Sequence, residues 1–134
     1  QQDIRHSKIW VNVKTISNMI KAGRLSKRSG QLAQLLGLKP IVSLDENGKG
    51  ILDGIAFSFH RSMKKSIMKM AAIQKQKKIQ RYAVVHVHNS DEANRMAERL
   101  EAVLHQKPAY IEEVSSITSV SAGDGAIALA FMTE

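Results

Sequence analysis

The chain predicts an α/β fold, a mixed β-sheet flanked by helices, and three observations carry that prediction. The hydrophobic period switches repeatedly between two and 3.6 residues, the mark of strands alternating with amphipathic helices. A long helical pattern after Phe59 stands between segments rich in β-branched residues, and a final run, Ala126 to Met132, is apolar enough to lie centrally in a sheet. A length of 134 residues with 43% hydrophobic content suits one globular domain with its own core.

The elements follow in order. Lys8 to Val13 reads as a strand with Ile9, Val11 and Val13 on one side. Ile16, Met19 and Ile20 fit a short helix stopping at Gly23, and Leu32, Leu35 and Leu36 fit a second ending at Gly37, both Gly residues suiting a helix C-terminus. Pro40 opens a strand over Ile41 to Leu44. The residues from Asp45 to Gly48 form a hairpin turn around Asn-Gly, and Gly50 to Phe59 returns as the partner strand. Met63, Ile67, Met70, Ala71 and Gln74 make one stripe of the long helix, while Lys64, Lys65, Lys69 and the run from Lys75 to Lys78 crowd its other faces. Tyr82 to His88 is a buried strand. Asn89, Ser90 and Asp91 are N-cap candidates for a helix whose apolar face is Ala93, Met96, Ala97, Leu100, Val103 and Leu104. Ala109 to Val114 precedes the last strand. The expected core includes Val11, Ile41, Ile55, Val85, Val87, Leu100, Ile127 and Leu129.

Composition excludes several function classes. With no Cys there are no disulfides, zinc-thiolate sites, iron–sulfur clusters or Cys nucleophile, which fits a reducing compartment. No apolar run approaches the roughly 20 residues needed to span a bilayer, and no signal-peptide pattern is present, so the expectation is a soluble, cytoplasmic protein. The start at Gln1-Gln2 rather than Met reads as a piece of a longer chain. Residues 1–81 hold 17 Lys and Arg against 4 Asp and Glu, whereas residues 82–134 hold 3 against 8, within a formal net charge of +8. The basic part would attract phosphates, anionic lipid or an acidic partner, or would simply be a solvated surface.

Catalytic constellations are scarce. No close carboxylate pair sits in an apolar setting, and GxSxG, Walker A and GxGxxG patterns are all missing. His86 and His88, one residue apart on a predicted strand, point the same way and make half of a metal site without an evident third ligand; the alternative is a hydrogen-bonding pair at a strand end. Aromatic content of 4% offers little for base stacking, so specific nucleic-acid binding is not expected despite the basic helix from Arg61 to Lys78. No enzyme activity and no cofactor are expected.

Two Gly-bearing segments carry more. Lys21 to Ser26 contains Gly23-Arg24-Leu25-Ser26, and Ser115 to Gly125 is a hydroxyl-rich loop with Gly123 and Gly125 immediately before the last strand. Such a loop lets backbone N–H groups and hydroxyls approach a carboxylate or phosphate, or it is just a loop. Arg24 either satisfies helix carbonyls or forks onto an anion.

Taken in order with Leu36-Gly37-Leu38-Lys39-Pro40-Ile41, the start of the long helix at Arg61-Ser-Met-Lys-Lys65, Val85-His-Val-His-Asn89 and the terminal Gly125-Ala126 strand, these segments resemble the C-terminal domain of a DegV-family fatty-acid-binding protein over Lys8 to Met132. The resemblance implies that residues 1–134 are one domain, the second of a DegV-like protein, whose N-terminal domain is not in this chain. It implies a carrier for a long-chain fatty acid, presenting the carboxylate to a fatty acid kinase; the basic charge of residues 1–81 adds the expectation of transient contact at an anionic membrane. Ligand-binding residues implied by the motifs are Arg24, Ser26, Ser119, Ser121, Gly123 and Gly125, and partner-binding residues are Arg61, Lys64 and Lys65. Family members commonly show Thr-His-Thr-Gly-Pro-Gly where this chain has Val120-Ser-Ala-Gly-Asp-Gly125, so Ser121 stands in place of the usual His and Asp124 adds a negative charge. Arg24 is expected to offset Asp124. The alternative is a regulatory or scaffolding module that shares the fold and has lost lipid binding.

Overall fold

The computed structural model describes residues 7–15, 37–44, 50–114 and 122–134. Its elements are β1 (Ser7–Asn12), β2 (Lys39–Leu44), β3 (Gly50–Ala56), α1 (Phe59–Gln76), β4 (Ile79–His86), α2 (Ser90–Leu104), β5 (Ile111–Glu113) and β6 (Ile127–Thr133). The strands form a six-stranded sheet in the order β3-β2-β1-β6-β4-β5. All neighbours are antiparallel except β4 and β5, so the sheet is mixed, as expected. The expected short helices before residue 37 and the turn from Asp45 to Gly48 lie outside the described residues. Among the described residues no helix is long and apolar enough to cross a membrane.

Period-two alternation sorts the sheet into two unlike faces. Trp10, Ile41, Tyr82, Val84, Ile127, Leu129 and Phe131 face the helices and close a core with Met63, Ile67 and Met70 of α1 and Ala93, Met96, Ala97, Leu100 and Leu104 of α2. Val11, Val13, Val42, Val87, Ala126 and Ala128 form a separate cluster on the opposite face. The apolar run of β6 is therefore central, flanked by β1 and β4. Its two faces differ in size: Ile127, Leu129 and Phe131 toward the helices, Ala126 and Ala128 away from them.

One polar group interrupts the helix-facing core. Asn12 follows Trp10 by two residues on β1 and is fully buried. Its amide nitrogen donates to Ser62 Oγ at 2.7 Å and Ser66 Oγ at 3.0 Å, and Ser66 Oγ donates back to Asn12 Oδ1 at 3.2 Å. Ser62 and Ser66 are one helical turn apart on α1, so a single amide fixes the rotation and height of that helix over β1. Lower down, Gln74 ties three elements together: its Oε1 accepts from Ile79 N at 3.1 Å, and its Nε2 donates to Leu104 O at 3.1 Å.

Several boundaries differ from expectation. The β3 strand ends at Ala56 because Ser58 caps α1, accepting from Arg61 N at 3.1 Å, and Phe59 already belongs to the helix. The β4 strand begins at Ile79, ahead of Tyr82, and β5 spans only Ile111–Glu113 rather than Ala109 to Val114.

Six of the expected core residues are buried and Val85 is partly so, but Ile55 is 40% exposed. A bulge is the cause: pairing jumps from Val42↔Leu52 to Ile41↔Gly54, which leaves Asp53 as the extra residue and changes the parity of everything after it on an edge strand. Val103 is also corrected, at 41% exposure. It lies roughly 60° around α2 from Leu100, at the margin of the buried stripe.

The Asn12 network makes a stability prediction. Asn12→Ala leaves two fully buried serine hydroxyls without their partner and should cost about 1 to 3 kcal/mol. Urea unfolding of the wild type and variant measures this, and an unchanged midpoint would show the amide to be dispensable.

Candidate functional site

The glycine turn before β6 is built by hydrogen bonds to the end of β4. Gly123 and Gly125 adopt φ +84° and +85°, the left-handed region open to glycine at little cost. Gly125 N donates to Val87 O at 2.7 Å, Val87 N donates to Ala126 O at 3.0 Å, and Ala126 N closes the turn on Gly123 O at 3.3 Å. Asn89 adds its side-chain amide, which donates to Gly125 O at 2.8 Å. Asn89 does occupy the N-cap position of α2, but its side chain makes no capping bond there; it serves the turn instead.

Between the two Gly residues, Asp124 turns its carboxylate outward to His88. His88 Nδ1 lies 3.0 Å from Asp124 Oδ1, and Nε2 lies 3.2 Å from Glu113 Oε2 at the end of β5. A neutral imidazole has one N–H and can donate to only one of these carboxylates, so the paired arrangement suits the imidazolium. The hydrogen bond to Asp124 first, then the charges of Glu113 and Asp124, hold the His88 pKa above its ordinary value of 6.5.

The expectation that His86 and His88 point the same way fails. The strand ends at His86, and φ +52° at His88 breaks the alternation that would have aligned them. His86 is buried, its Nδ1 accepting from Asn89 N at 3.0 Å, whereas His88 is exposed. Among the described residues no group of three His, Cys, Asp or Glu is arranged to hold a metal ion.

Of the ligand residues implied by sequence, Gly123 and Gly125 form this turn; Arg24, Ser26, Ser119 and Ser121 lie outside the described residues. Arg61, Lys64 and Lys65 are all exposed on the first turns of α1. Lys65 is already engaged, donating to Ile55 O at 2.9 Å, and Lys69 likewise reaches Asp53 through its backbone oxygen at 2.6 Å and its carboxylate at 3.3 Å.

Sequence reasoning missed Lys14, His88 and Asn89 as parts of the site. Lys14 lays its side chain over the turn: a Cβ built on Gly125 would meet its Cδ at 2.8 Å and Cε at 2.9 Å. Its ammonium lies 5.3 Å from the centroid of the Phe59 ring, and its carbonyl accepts from Lys39 Nζ at 2.9 Å. Only the pairing of β1 with β6 brings these groups together, and no local pattern announces it.

Comparison with known proteins fits this fold. A family model described as an uncharacterised protein of the DegV family matches residues 1–134, and the chain belongs to that family. A DegV domain-containing protein of Clostridium perfringens is 27% identical over 135 residues, covering 98% of this chain and 46% of the relative. The chain thus spans about half the length of the curated relatives it matches. Among solved structures, a fatty acid binding DegV family protein from Streptococcus agalactiae superposes with a TM-score of 0.85 at 21% identity, covering 100% of this chain and 47% of its own. The Streptococcus pneumoniae Fatty Acid Kinase (Fak) B3 protein loaded with linoleic acid gives 0.85 at 20% identity, covering 99% and 47%. A DegV family protein from Eubacterium eligens loaded with heptadecanoic acid gives 0.81 at 21%, covering 99% and 48%. At these identities the likeness carries the fold.

The His88 clasp has a definite pH sign. A folded-state pKa above the unfolded value means its contribution is fully present below about pH 6.5 and is lost as pH rises through the folded value. NMR titration of the imidazole should place the His88 midpoint above the ordinary histidine value, and Asp124→Asn should lower it. A wild-type midpoint unmoved by Asp124→Asn would show that the pairing does not persist in solution.

Proposed function

We propose that this chain is the C-terminal, ligand-enclosing half of a long-chain fatty-acid carrier, acting together with an N-terminal domain of that carrier. The observation that carries the reading is the glycine turn, pinned to β4 and bare of side chains at two of its three positions, in a chain of the DegV family. A rigid turn with no Cβ at Gly123 permits close approach of an anionic headgroup there, while the space at Gly125 is taken by the Lys14 side chain. Beyond it, the face away from the helices continues through Ala126, just before β6, to Ala128 and Ala130 of β6. At the far end a cavity of about 340 Å³ is lined by residues including Ala83, Tyr110, Ala130 and Met132. Ala130 lies five positions beyond Gly125, roughly 17 Å at about 3.3 Å per residue, a length suited to an acyl chain laid along the sheet.

In this reading Arg24, Ser26, Ser119 and Ser121 line the headgroup side with Gly123 and Gly125. The carrier itself does no chemistry. A separate fatty acid kinase phosphorylates the presented carboxylate, docking on the basic first turns of α1. Arg61 and Lys64 have no acidic partner among the described residues, and α1 carries no acidic residue in its first turn, so this end of the helix suits an acidic surface.

Native mass spectrometry of the intact protein purified after bacterial expression should reveal a co-purified acyl chain, and a clean apo mass would favour the scaffolding alternative. Reversing Arg61 and Lys64 to Glu should weaken association with the kinase, more strongly at low salt than at high salt. Unchanged association at both salt concentrations would make this face an ordinary solvated surface.

A further inference from the structure

We propose that the groove between α1 and α2 receives an acidic, amphipathic helical segment of the kinase; the assignment rests on the lipid-carrier reading and names the surface that holds that partner. Three observations support it. First, the helices leave a cavity of about 270 Å³ between them, floored by Met63 and Ile67 of α1 and Met96 of α2. Unbranched, polarisable methionines adapt to the apolar side chains laid on them. Gln74 Nε2 donates to Leu104 O and ties the two helices together at their C-terminal ends, which gives the groove a fixed lower limit.

Second, the rims are basic. His60 stands on the α1 side, and Arg95 and Arg99 on the α2 side. Lys64 follows His60 by one turn and is exposed on the same side of α1. Among the described residues Glu92 is the one carboxylate lining the cavity, and Arg95 Nη1 bonds to it, whereas Lys64 and Arg99 have no acidic partner. Cations held beside apolar walls attract carboxylates and repel a basic segment.

Third, the pattern continues along the groove. Val103 follows Arg99 by one turn of α2 and is 41% exposed, so an apolar side chain stands beyond the cation. An apolar strip with cations on both sides is the complement of a helix whose apolar stripe is edged by Asp and Glu. No Trp, Tyr or Phe lines the cavity, so it offers no platform for a stacked base. Arg61, which the carrier reading gives to the kinase, neighbours His60 on the first turn of α1, and the groove carries that basic face across to α2.

The test measures association of the intact protein with purified fatty acid kinase at low and high salt, as wild type, Arg99→Glu, Arg99→Lys and Val103→Ser. The expected result is about a ten-fold or greater loss of affinity in Arg99→Glu at low salt, a smaller loss at high salt, and largely retained affinity in Arg99→Lys. Val103→Ser should weaken association about three-fold or more at both salt concentrations, because its contribution is apolar. Unchanged association in Arg99→Glu and Val103→Ser, beside weakened association on reversing Arg61 and Lys64, would overturn the groove and leave the kinase reading standing. A wild-type protein that does not associate with the kinase would remove that reading itself. The chain has no Cys, so a thiol reagent applied to Arg99→Cys reports on position 99 within this domain. Mass spectrometry of the modified intact protein should show rapid labelling that the kinase slows; protection without kinase would mean that the rest of the protein already covers the groove, and would overturn the proposal.

Discussion

The central position of β6 is the constraint on which the rest depends. It is paired along both edges, with β1 from Ser7↔Met132 to Asn12↔Ile127 and with β4 from Ile79↔Thr133 to His86↔Ile127. A strand held by two ladders cannot slip by one residue without turning Ile127, Leu129 and Phe131 out of the core and bringing the alanines in. That register brings the end of β1, with Lys14, and the end of β4, with His88 and Asn89, to the same edge of the molecule as the glycine turn. The candidate site is a consequence of strand pairing, and the hydrogen bonds between Val87, Gly125 and Ala126 are the ladder continued beyond the sheet.

Charge follows the same geometry. The basic excess of residues 1–81 resolves into groups with different duties. Lys65 and Lys69 bond to backbone oxygens of β3, the outermost strand, where the bulge at Asp53 brings an acidic side chain to Lys69. Edge strands expose backbone groups that invite pairing with another chain, and a bulge together with lysines is a recognised way to blunt them. Arg61 and Lys64, earlier on the same helix, have no acidic partner among the described residues and are left for solvent or a binding partner. The acidic excess of residues 82–134 contributes Glu113 and Asp124, which meet on His88.

The two helices have unequal supports. The second helix, α2, is held by a continuous apolar stripe against β4 and α1. The first, α1, adds the Asn12, Ser62 and Ser66 network, whose directional bonds specify one placement among the several that a greasy surface of Met and Ile would tolerate. Its N-terminus, where Phe59 stands beside Lys14, is thereby fixed relative to the turn.

Much of this was legible in the sequence, for a local reason. Alternation in Lys8 to Val13 and in Ala126 to Met132, the 3.6-residue stripes of Met63, Ile67 and Met70 and of Ala93, Met96 and Leu100, and the isolated Gly residues of the last loop depend on neighbours within one or two turns of chain. They determined the α/β class, a mixed sheet with a central final strand and the position of a glycine turn before it. Tertiary structure decided what those patterns could not encode. The bulge at Asp53, which exposes Ile55, arises from pairing with β2; the parting of His86 from His88 arises where β4 ends against the turn. The meeting of Lys14, Gly125, Asp124 and His88 joins residues as far apart as 14 and 125. Such contacts are set by the register of strands distant in sequence, which no local period records.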